Sequence, residues 1–112
     1  SKMESRLPLY KKVLVLYRIE PGCLGPQGMD YVEDFCVFAK QKLKDKHGHC
    51  LRWTFKPRYD KSLPEVEFQI KNTVVSRDNA AKYMDSFNID FAEFEEELDE
   101  AIADLVDAFF ER

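Results

Sequence analysis

Apolar residues run without interruption from Val13 to Tyr17, as expected of a strand covered on both faces, and this segment is predicted as the central strand of a sheet. It stops at Glu20-Pro21, where the prolines and glycines from Pro21 to Gly28 forbid either regular structure and predict a loop. Two later segments alternate with period two. Leu51, Trp53 and Phe55 are interleaved with Arg52, Thr54 and Lys56, and Val66, Phe68 and Ile70 with Glu65, Glu67, Gln69 and Lys71. Pro57 to Pro64 joins them, so the simplest arrangement is an antiparallel hairpin, with Arg52 and Lys56 facing Glu65 and Glu67 across the polar side.

Between and after these strands the apolar period becomes helical. Val32, Phe35, Cys36, Ala39 and Leu43 form one stripe, with Asp30 and Glu33 as a capping pair at the start, Lys40, Lys42, Lys44 and Lys46 near the negative end of the dipole, and Gly48 as the stop. Ser76 is predicted to cap a short helix carrying Ala80, Ala81, Tyr83, Met84 and Phe87. Asp90 and Glu93 repeat the capping pattern before the last helix, and Ile89 with Phe94 matches a hydrophobic staple. In that helix Phe91, Phe94, Leu98, Ile102, Leu105 and Phe109 make one stripe. Ala101, Val106, Ala108 and Phe110 widen it beyond what one sheet face needs.

The order read from the pattern is β-α-β-β-α-α, an α+β fold with one mostly antiparallel sheet of three or four strands and helices packed on one face. A chain of 112 residues is expected to form a single domain, residues 1–112. Ser1 and Lys2 precede Met3, and the first six or so residues are expected to be tag-derived or unordered.

Composition sets the environment. No stretch approaches the roughly 20 apolar residues of a membrane helix and no signal-peptide pattern is visible, so no membrane association is expected. Cys23, Cys36 and Cys50 form no CxxC pair and leave one over in any disulfide scheme, which fits a reducing compartment and predicts the cytoplasm. The net charge of −4 hides a division: residues 1–84 hold 16 Lys and Arg against 10 Asp and Glu, whereas residues 85–112 hold one base against 11 acids. An acidic C-terminal helix therefore faces a basic remainder.

Four segments could carry chemistry. The loop Gly22-Cys23-Leu24-Gly25-Pro26-Gln27-Gly28 joins a strand end to a helix start, where backbone N–H groups can hold an anion and a thiol could be acidified. Its spacing is GxxGxxG, neither the dinucleotide pattern nor the phosphate loop, and a plain turn is the favoured reading. His47-Gly48-His49-Cys50 is short of the four ligands a structural zinc needs, and no metal or other cofactor is expected. In the loop after Pro57, Arg58 and Lys61 could meet a phosphate or carboxylate and Tyr59 could stack, with Cys23 and Asp60 completing a candidate ligand set; the plainer reading is a turn closed by two prolines. The acidic run from Glu93 to Asp107 reads as a solvated helix face.

Two function classes emerge, and no motif decides whether the chain is an enzyme. The first is a non-catalytic protein interaction module, self-associating as a homodimer or meeting a protein partner, with Val106, Phe109 and Phe110 as interface residues. The alternative is a small enzyme or binding domain for an anionic small molecule, built from the Gly22–Gly28 and Arg58–Lys61 loops. Nucleic acid is disfavoured, because a pI near 5.2 opposes phosphate contacts.

Overall fold

The computed structural model describes residues 7–112, so the expectation for the first six lies outside the described residues. In chain order come β1 (Val13–Ile19), α1 (Gly28–Leu43), β2 (Leu51–Pro57), β3 (Val66–Ile70), β4 (Thr73–Val75), α2 (Arg77–Asp85) and α3 (Phe91–Glu111), with short 3-10 turns at Leu9–Lys11 and Pro21–Leu24. The fold is α+β, and the four strands form one sheet in the order β2-β1-β3-β4.

The sheet is mixed rather than mostly antiparallel. β1 pairs parallel with β2, Val15 opposite Trp53, and antiparallel with β3, Val15 opposite Phe68. The expected hairpin between the two alternating segments does not form, since β1 lies between them. The physical reason is visible in their composition. β1 is the most continuously apolar segment and takes the centre, and the α1 crossover returns the chain parallel to it. Arg52 and Lys56 consequently do not face Glu65 and Glu67. Glu67 pairs instead with Arg18 of β1 at 3.2 Å, on side chains only 15% and 11% exposed. The partner that β3 does form a hairpin with is β4, across Lys71-Asn72, both at positive φ (51° and 65°), as a tight two-residue hairpin turn requires.

Odd-numbered positions of β1 and β2 share one face. Val13, Val15, Tyr17 and Ile19 join Leu51, Trp53, Phe55 and Phe68 in the core, and buried residues of all three helices complete it. The other face carries Leu14 and Leu16 flanked in register by Arg52, Thr54, Glu67 and Gln69. The caps of the last two helices follow the sequence: Ser76 Oγ accepts from the Asn79 N–H and Asp90 Oδ2 from the Glu93 N–H. Ile89 and Phe94 are both buried, as the staple requires. α1 differs, starting at Gly28 after Gln27, so Asp30 sits inside its first turn and is not the cap. Among the described residues no helix is long and apolar enough to cross a membrane.

Candidate functional site

Parallel pairing of β1 and β2 places their C-terminal ends side by side, and the loops leaving both ends meet there. This is where open α/β units usually form a ligand crevice. After Ile19 the chain passes Glu20, turns through Pro21–Leu24, crosses Gly25 at φ 94° and enters α1. After Pro57, the Arg58 N–H donates to the Ile19 carbonyl at 2.8 Å, tying the second loop to the end of β1. Its guanidinium then organises that loop, with Nη2 donating to the Lys61 and Leu63 carbonyls at 3.2 and 3.1 Å and Nε to Leu63 at 3.2 Å.

Both loops bound one open cleft of about 590 Å³, whose walls include Glu20, Pro21, Met29, Arg58, Tyr59 and Lys61. Three of its residues form a charge clasp. The Glu20 carboxylate lies 3.6 Å from Arg58 Nη1 and 3.4 Å from Lys61 Nζ. Beside them the Tyr59 hydroxyl donates to Glu33 Oε2 at 3.1 Å, leaving its ring, 54% exposed, on the cleft wall with Met29, 65% exposed. Asp60 points elsewhere in the loop: its Oδ1 accepts from the Ser62 N–H and Oγ, and those bonds hold its pKa below the usual carboxylate value.

The structure thus brings Arg58, Tyr59 and Lys61 to the Gly22–Gly28 loop and leaves Asp60 as a loop brace. Cys23 is exposed and does not line the cleft. Its thiol is not acidified as the loop position suggested; partial burial, then Glu20 and Glu65, push its pKa up. His47 and His49, the only histidines, lie in the turn before β2, at the opposite end of the sheet, where Cys50 N–H donates to the His47 carbonyl. Neither histidine therefore lines the cleft. Among the described residues, no three His, Cys, Asp or Glu side chains gather as metal ligands.

Glu20 and Met29 are the cleft residues that sequence reasoning overlooked. Glu20 reads as the last polar residue before a proline, and only the parallel order of β1 and β2 brings it opposite Arg58 and Lys61. Of the three interface candidates, Phe109 is 3% exposed and meets Phe35 edge to face at 5.4 Å, so it belongs to the core. Val106 is half-buried, and Phe110 is 50% exposed against Tyr31, ring centroids 5.5 Å apart. No known protein family, curated protein or solved structure matches this chain.

Proposed function

We propose that the protein is a non-catalytic binding module for a small molecule with one anionic group and an apolar body, taken in the cleft between the Gly22–Gly28 and Arg58–Lys61 loops. One observation carries this reading: a carboxylate, that of Glu20, is already seated between Arg58 and Lys61 on the cleft wall. A ligand carboxylate or phosphate meets the same two cations by displacing it, and charge-assisted bonds of this kind are stronger than neutral ones. Met29 and Tyr59 supply the apolar wall that such a ligand covers. Binding is favoured over catalysis because the polar groups of the cleft are engaged with one another, Glu20 with Arg58 and Lys61 and the Tyr59 hydroxyl with Glu33. Three free cysteines support a reducing, cytoplasmic setting.

The test is a titration of the protein with a panel of aromatic carboxylates and phosphates, followed by amide and methyl NMR. Members that bind are expected to shift Met29 and Tyr59 signals. Lys61→Ala, a change at a side chain 74% exposed, is expected to weaken binding about tenfold. A panel that leaves both signals still, or equal affinity in Lys61→Ala and Tyr59→Ala, defeats the reading.

A second reading, self-association through the end of α3, is favoured by Phe110, which stays half exposed at the edge of an otherwise intramolecular aromatic cluster. The acidic outer face of α3 and the basic remainder of the chain give two copies a complementary approach.

A further inference from the structure

At the other end of the sheet, where β1 and β2 begin, lies a second hollow of about 400 Å³ whose lining includes Lys12, Lys40, Lys44, Arg52, Asp45 and Thr54. Four cations face one carboxylate there. Lys12 precedes β1 on the side of Leu14, Arg52 sits in register with Leu14, and Lys40 and Lys44 come one turn apart from the end of α1. Among the described residues none of the four cations forms an ion pair.

Lys12 is the one charged residue buried among those described, 6% exposed, yet its ammonium is not a buried unpartnered atom: the stem is covered while the charge keeps access to the hollow. Arg52 reaches Asn72 Oδ1 at 3.4 Å through Nη2, but its Nε is buried with no acceptor. A buried donor without a partner is costly. The negative end of α1 accounts for Lys40 and Lys44 without any ligand. It does not account for Lys12, just before β1, or for the orphan Nε of Arg52 in β2. The chain has 21 acidic residues, yet 11 of them lie from Asp85 onward and Asp45 alone lines the hollow.

We propose that this hollow binds a compact multivalent oxyanion, a polyphosphate or a phosphorylated small molecule. Phosphate oxygens suit both the planar fork of Arg52 and the point charges of the lysines. A volume of about 400 Å³ is within the ordinary range for small-molecule sites. A long nucleic-acid strand is a poorer occupant, because its flanking phosphates run out toward a molecule of net charge −4. The hollow is separate from the cleft between the two loops, with which it shares no lining residue.

Inorganic tripolyphosphate is the probe, titrated into the full chain by calorimetry and followed by NMR. The expected result is a one-to-one complex that shifts Lys12 and Arg52 signals and weakens as salt is raised. Lys40→Glu and Lys44→Glu, both at exposed positions and so safe for folding, are expected to lower the affinity at least tenfold, and Arg52→Gln similarly. Lys61→Ala, in the other cleft, is expected to leave it unchanged. No binding up to about 10 mM probe, or equal affinity in Lys44→Glu and Arg52→Gln, overturns the proposal. So does tighter binding of a single-stranded oligonucleotide than of tripolyphosphate, which would assign the surface to nucleic acid.

Discussion

Gly28 opens α1 against the turn that follows β1, and a Cβ built there would stand 1.7 Å from the Pro21 carbonyl oxygen. Helix propensity alone favours alanine at such a position by about 1 kcal/mol, but the obstacle is backbone and cannot swing aside. Gly28→Ala is therefore expected to cost about 3 kcal/mol, read as a lower urea midpoint. Gly22→Ala is the control, its nearest neighbour being the flexible Glu20 Cγ at 3.9 Å, and should stay within about 0.5 kcal/mol. The same collapse of the cleft wall is expected to weaken ligand binding in Gly28→Ala but not in Gly22→Ala. Across the sheet, Glu67 is held by Gln69 at 2.8 Å and Arg18 at 3.2 Å. The Gln69 bond first, and the Arg18 bond with it, keep the Glu67 pKa below the usual carboxylate value against the opposing effect of burial. A depressed folded value means that the pair stabilises the fold above the ordinary carboxylate range, and that the contribution is lost as pH falls through the folded value. Gln69→Leu is expected to cost about 1.5 kcal/mol at neutral pH and to shrink the difference in urea midpoint between pH 7 and pH 3. An unchanged acid dependence removes Gln69 from that role.

At the scale of elements, what could be read from the sequence followed local physics closely. The caps at Ser76 and Asp90 and the staple between Ile89 and Phe94 depend on residues a few positions apart, and all three are present. The alternation in β2 and β3 marked the correct inner faces, because Trp53 and Phe68 are each 2% exposed. What failed was long-range: alternation says which face is wet, not which strand lies next door, and so the parallel β1–β2 pair and the Arg18–Glu67 pair were illegible. β4 was overlooked because Thr73–Val75 is too short to show a period, and its one signal is the Lys71-Asn72 turn. The cleft was half legible. Its loops were singled out separately by composition, but their meeting, and the part Glu20 plays, follow from strand order. The surplus apolar width of α3 likewise divides in a way periodicity does not reveal. Phe109→Ala is expected to cost about 3–4 kcal/mol, since Phe109 fills the space among Phe35, Phe38 and Tyr31. Phe110→Ala should change the stability of the isolated chain by about 1 kcal/mol or less. Sedimentation velocity over a hundredfold concentration range then examines self-association: a mass that rises with concentration in the parent and stays constant in Phe110→Ala supports it, and a constant mass in both rejects it.

For the molecule as a whole, the βαβ unit separates two dissimilar hollows, the cleft where β1 and β2 end and the basic one where they begin. The helix-bearing face holds the core and the opposite face remains a polar surface laid over Leu14 and Leu16. The central position of β1 also bears on how the chain is made. Its two flanks are filled by segments that follow it in sequence, β2 ending at Pro57 and β3 at Ile70. During synthesis at roughly 10 residues per second β1 thus waits about 5 s for its second neighbour, and its inner face stays incompletely covered until α2 and α3, which complete the core, have followed. That wait is an interval in which a chaperone can shield the most water-averse strand of the sheet.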